Sequence, residues 1–234
     1  ARVSPAIGFW CLFAIMTLLM ADALAALSPG PRARAALLAV VLAVLAVILW
    51  SGVLSELSVM REYAGRKDAF VRATVQHLNL AFGSLAAAMV IGFPVGLLCH
   101  RRARLRGGIL PVLSFLQTIP SLAMFGLMIP VLGWVGRSVP GAQAIGIAGI
   151  GFAPAFVALV LYALLPVVAN MVIGLAAAPP AALEAARGMG MTPQQRLWRV
   201  EAPLGLPIIL TGLRIVLVQN IGLAVIAGLI GGGG

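Results

Sequence analysis

The chain has 234 residues, of which 62% are hydrophobic and 9% charged, and its mean hydropathy is +1.11. A water-soluble globular protein of this length needs far more polar surface, so that class is excluded. The formal charge of +10 would suit nucleic acid, but the arginines gather in short loops without interleaved aromatics, which argues for a positive-inside membrane pattern instead.

Several apolar runs reach the ~20 residues a helix needs to cross a bilayer. The expected fold is all-α, a polytopic integral membrane protein with about six spans in this chain and no β-barrel alternation. Residues 1–54 read as a two-span extension, with spans Pro5 to Leu27 and Ala33 to Leu54. Between them Ser28-Pro-Gly-Pro31 is a tight turn, followed by Arg32 and Arg34. Asp22 is charged within the first run but close to its cytoplasmic end, where it reaches water. No cleavable signal peptide is evident, and an N-terminal Ala instead of Met suggests a natural chain that begins earlier. Cys11 and Cys99 have no CxxC or metal-ligand spacing and read as small apolar residues.

Residues 55–73 form a charged connector of nearly balanced sign, with Glu56, Arg61, Glu62, Arg66, Lys67, Asp68 and Arg72, expected on the outer side. The third span, Thr74 to Leu98, runs into His100-Arg-Arg-Ala-Arg-Leu-Arg106, the densest basic cluster, which fixes that end inside. The fourth span, Ile109 to Leu132, contains Gln117-Thr118-Ile119-Pro120-Ser121. Proline frees a backbone carbonyl, and broken helix in a membrane is tolerated where it is buried in protein or lines a cavity. Gln117, Thr118 and Ser121 are therefore pathway candidates, the alternative being a kinked packing helix.

The glycine-rich run Gly146 to Gly151 lacks the GxGxxG pattern and precedes a span, so no nucleotide site is read there. The fifth span, Ile147 to Leu175, carries Pro154 and Pro166, with Tyr162 and Asn170 as polar members facing either the pathway or a neighbouring helix. The sixth, Leu204 to Ile230, holds Arg214, Gln219 and Asn220.

Between the last two spans lies a polar, proline-marked interval, about 176–203, that the topology brings to the cytoplasm. Pro179 and Pro180 can open a short helix, and Gly188 and Gly190 close it. Thr192, Pro193 and Gln195 restart the chain with a capping-box pattern, while Pro203 and Pro207 mark the hand-over to the next span. The alanine face Ala181, Ala182, Ala185 and Ala186, flanked by Glu184 and Arg187, lets a partner's backbone come close and suits docking in a groove.

In these residues the chain resembles the membrane subunits of binding-protein-dependent ABC importers. Their cytoplasmic loop carries Glu-Ala-Ala, a glycine and a later Ile-x-Leu-Pro. Here those positions are Glu184, Ala185, Ala186, Gly190, Val200, Ala202 and Pro203, with conservative departures at Val200 and Ala202. The segments Gln117 to Ser121, Phe125 to Pro130, Leu161 to Pro166, Glu184 to Thr192 and Ile226 to Gly231 resemble the osmoprotectant (glycine betaine, choline) permeases, and the two extra N-terminal spans resemble their Yeh-type members.

The resemblance implies a type I, MetI-like permease core over 74–234 whose last span is missing here. It also implies a multi-pass location in the bacterial inner membrane and a coupling helix inserted into a separate ATPase. The coupling residues it implies are Glu184, Ala185, Ala186, Arg187, Gly188, Gly190, Thr192 and Pro203; the candidate pathway residues are Gln117, Thr118, Ser121, Tyr162, Asn170, Gln219 and Asn220. The implied partners are an ATPase dimer, a second permease subunit of the same or a related chain, a periplasmic or surface substrate-binding protein, and membrane lipid. No Walker A sequence, metal site or catalytic residue is read in this chain, so ATP and Mg belong to the ATPase. The alternatives are a permease for amino acids or another small solute, and a non-transporting membrane scaffold.

Overall fold

The computed structural model describes residues 6–52 and 58–232. Pro5 at the expected start of the first span, Val53 and Leu54 at the end of the second, Ser55 to Leu57 of the connector, and Gly233 and Gly234 lie outside the described residues. The chain divides into two compact units, 1–70 and 71–234.

The first unit holds α1 (Ile7–Leu27), α2 (Pro31–Trp50) and the beginning of α3 (Ser58–Arg101). Ser28 at φ +36 ends α1 in the left-handed region, and Pro31 opens α2 where its missing N–H leaves no hydrogen bond unmade. No residue of either helix is buried. Faces this apolar and this open are compatible only with a lipid surround. The expected connector is helical from Ser58 onward and merges into the third span. An i,i+4 pair, Arg66 to Glu62 at 3.0 Å, and the Tyr63–Phe70 ring contact support that helix. Arg66 itself leaves helical geometry at φ −129, ψ 23 and kinks it.

In the second unit the central helix is α6 (Phe152–Ala176), buried against α4 (Ala103–Thr118), α5 (Ser121–Ser138) and α9 (Ala202–Ala227). Two short helices, α7 (Pro180–Gly188) and α8 (Pro193–Arg196), connect α6 to α9. Small residues set how closely the central helices approach. Gly174 of α6 and Gly205 of α9 meet so tightly that a Cβ on Gly205 would collide with the Gly174 carbonyl. Gly92 and Gly96 likewise seat α3 on Val167 and Met171 of α6. Leu80, Phe125, Leu159 and Ala224 form one buried cluster, Ala88, Val167 and Val216 another, and Cys99 with Val168 a third.

Among the described residues six helices are long and apolar enough to cross a membrane. Several boundaries differ from expectation, for local reasons. The basic loop is one residue wide: only Arg102, at φ −129, ψ 96, separates α3 from α4. The fourth span is divided between α4 and α5 at Ile119 and Pro120, both extended, because the proline disfavours helical geometry in the residue before it. The fifth begins at Phe152, since Gly151 takes φ +109. Pro154 then falls in the first turn, where its missing N–H costs nothing, and does not break the helix.

Candidate functional site

The interval after α6 folds largely as its residues dictate. Pro180 is at the start of α7, and the helix closes in a Schellman arrangement. Gly190, at φ +75, donates to the Arg187 carbonyl at 2.9 Å, and Met191 N–H reaches back to Ala186 at 3.1 Å. Gly190 is the closing glycine; Gly188 is ordinary helix. The capping box is complete: Gln195 N–H donates to Thr192 Oγ1 at 3.3 Å, and Thr192 N–H donates to Gln195 Oε1 at 2.9 Å.

Ala186 is buried and anchors α7, whereas Glu184, Ala185, Arg187, Gly188, Gly190 and Thr192 are exposed. The helix thus presents a carboxylate, a guanidinium and a methyl-sized surface side by side at a stub two and a half turns long. Met189, 70% exposed, extends that surface with a flexible apolar side chain.

The hand-over to the last span differs from expectation. Pro203 and Pro207 do not mark a break, because α8 continues through a π-helical turn, Leu197–Glu201, into α9. The Ala202 N–H bonds to the Leu197 carbonyl five residues back, and this wider turn lodges Pro203 immediately after it. The exposed Pro203 sits in the first turn of α9, and Pro207 lies inside that helix.

The π-turn also places the residues that the sequence reading did not single out. Glu201 is 7% exposed, yet its two oxygens take Arg196 Nε and His100 Nε2, each at 3.0 Å. A cavity of about 970 Å³ opens beside this cluster, lined by Leu97, His100, Thr192, Arg196, Trp198 and Glu201 among others. The usable signal was the scarcity of acids, 6 in the whole chain, one of them flanked by apolar residues beside a proline.

The seven polar candidates of the spans are distributed over separate contacts. Gln117 Nε2 donates to the Tyr162 carbonyl at 2.7 Å, and the Tyr162 hydroxyl donates to the Ile119 carbonyl. Each bond satisfies a carbonyl released by a proline: Pro166 lacks the N–H that Tyr162 would otherwise receive, and the Pro120 break frees Ile119. Gln117 and Tyr162 are therefore brought together as a clasp between α4 and α6. Thr118 is exposed and bonds its own helix at Phe115, while Ser121 and Gln219 are half-buried. Asn170 donates to the Pro166 carbonyl at 2.7 Å and lies against Gly212 of α9. Asn220 is fully buried and donates to Ser84 Oγ of α3 at 2.9 Å, and its own Oδ1 has no partner.

Comparison with known proteins places this geometry. The family described as "Binding-protein-dependent transport system inner membrane component" matches residues 88–234, and the N-terminal domain of the ABC transporter permease YehY matches residues 1–60. The osmoprotectant import permease protein OsmW of Salmonella typhimurium is 44% identical over 161 residues, 69% of this chain and 70% of the relative. The choline transport system permease protein OpuBB of Bacillus subtilis is 32% identical over 69% of this chain and 67% of its own. Among solved structures, inward-facing conformations of the MetNI methionine ABC transporter superpose with a TM-score of 0.59 at 27% identity, covering 70% of this chain and 75% of that one. The chain belongs to the binding-protein-dependent transport system inner membrane components, the multi-pass inner-membrane permeases of ABC importers that work with ATPase and substrate-binding components.

Proposed function

We propose that the chain forms the translocation pathway for an osmoprotectant of the glycine betaine and choline class, and that α7 is the coupling helix through which a separate ATPase drives it. The observation that carries the coupling role is the exposed strip Glu184, Ala185, Arg187 on a short helix held from behind by the buried Ala186. Gly188, Gly190, Thr192 and Pro203 shape the loop around that strip. Substrate class follows the relatives named for osmoprotectant and choline transport.

In this reading two permease subunits, identical or related, enclose the path between them and bear on an ATPase dimer. That dimer binds ATP and Mg and carries out hydrolysis, and a periplasmic or surface binding protein delivers the solute. The core from residue 74 onward supplies the path, and the first two spans are an appended lipid-embedded unit. Thr118, Ser121 and Gln219 are the members of the polar set with freedom to meet a passing solute. Gln117, Tyr162, Asn170 and Asn220 hold the helices that frame it.

A second reading, an amino-acid permease, draws on the likeness to the methionine transporter. Reconstitution in liposomes with the co-purifying ATPase and binding protein separates the two. ATP-dependent uptake of labelled glycine betaine, competed by choline and not by methionine, is expected. Uptake of methionine alone overturns the osmoprotectant reading, and an absence of any solute-stimulated ATP hydrolysis favours a scaffold.

A further inference from the structure

Arg196 and Glu201 are five residues apart. On an α-helix that spacing puts side chains on different faces, since neighbours on one face are three or four apart. The π-turn Leu197–Glu201 changes this, because its repeat brings positions five apart together. Its extra residue lets Glu201 reach back to Arg196 in the helix that restarts after the coupling loop. The same carboxylate reaches His100, 101 positions earlier, at the cytoplasmic end of α3.

Burying a carboxylate to make such contacts is a poor way to gain stability, because desolvation consumes most of the attraction; the better-attested use of buried charge is to fix register. Glu201 is the buried acid among the described residues, and the cavity next to it means that apolar packing does not fill the space between α8 and α3.

We propose that Glu201 is a positioning residue that delivers displacement of the coupling loop to α3. With Arg196 and His100 held on one carboxylate, the loop's restart, the π-turn and the inner end of α3 move as one body. This rests on the reading of α7 as the contact to the ATPase.

The test uses the full complex of permease, ATPase and binding protein in liposomes, comparing solute moved per ATP hydrolysed for Glu201→Gln, His100→Gln and the double variant. Glu201→Gln is expected to co-purify with the ATPase yet to lower solute moved per ATP by about tenfold, the middle of the usual range for coupling between sites. His100→Gln should do the same, the double variant should be no worse than either single one, and Glu201→Asp should recover part of the ratio. A purely structural role would lower the unfolding midpoint and the yield without changing the ratio. An unchanged ratio in both single variants overturns the proposal, as do losses that multiply in the double variant.

Gly190→Trp serves as the control on the loop. If it transports normally, the reading of α7 falls and the proposal with it. If Gly190→Trp uncouples and Glu201→Gln does not, only the role of Glu201 falls.

Discussion

The Gln117 side-chain amide donates to the Tyr162 carbonyl at 2.7 Å, filling the place of the N–H that Pro166 cannot supply. The pairing makes the two residues energetically dependent. Gln117→Leu strands a part-buried carbonyl and should cost about 1–3 kcal/mol. In a Pro166→Ala background, where the helix regains its donor, the same change should cost much less. Denaturant unfolding in detergent micelles of the four chains of this cycle gives the coupling directly; equal costs in both backgrounds would mean that the amide does not serve that carbonyl.

Gly205→Ala tests the contact between α6 and α9. The added methyl meets the Gly174 carbonyl, a backbone atom that cannot swing aside, so a loss of about 1–3 kcal/mol, with backbone displacement, is expected. Gly107→Ala is the control: nothing lies within 4 Å of its added carbon, and in a helix the change should be neutral or stabilising by up to about 1 kcal/mol. Thermal midpoints of the two variants should move in opposite directions or differ by several degrees.

Asn220 and Ser84 make a buried polar pair that is only half satisfied. Ser84→Ala leaves the whole Asn220 amide to be accommodated by apolar neighbours and should destabilise by about 1–3 kcal/mol, whereas the double change Ser84→Ala with Asn220→Leu should approach wild type or exceed it. If the double variant is as weak as the single, the pair contributes more than mutual satisfaction. Unfolding by denaturant and solute uptake are read on the same preparations.

Gly190 has open space around it, so its requirement is backbone conformation and not room. Gly190→Ala should cost about 1–2 kcal/mol from the left-handed φ alone, confined to the end of α7, while Gly190→Trp adds bulk at the surface offered to the ATPase. Limited proteolysis between α7 and α8 should quicken in both variants, and only the tryptophan variant should lose uptake completely while remaining inserted. Normal uptake by Gly190→Trp would remove α7 from the coupling path.

Residues whose conformation is dictated locally were legible in the sequence: Pro180 at a helix start, Gly190 at φ +75, and Thr192 with Gln195 in a capping box. Apolar length likewise made the spans visible. What could not be read was anything that depends on distant partners. Whether Gln117 and Tyr162 face a path or each other's backbone is decided by how α4 crosses α6. His100 sat unnoticed in a basic run because its partner lies 101 positions away. The π-turn was hidden for another reason. Pro203 and Pro207 looked like punctuation, whereas one wide turn lets the chain pass the first proline without stopping.

That wide turn also sets the phase of everything downstream. Each residue of an α-helix advances the face by about 100°, so removing one residue between Leu197 and Glu201 would rotate α9 by roughly that angle. Gly205, Gly212 and Asn220, which meet Gly174, Asn170 and Ser84, would all turn away together. The segment should therefore accept many exchanges of one side chain for another but no change in its length, and a single-codon deletion there should damage the last span more than most substitutions within it.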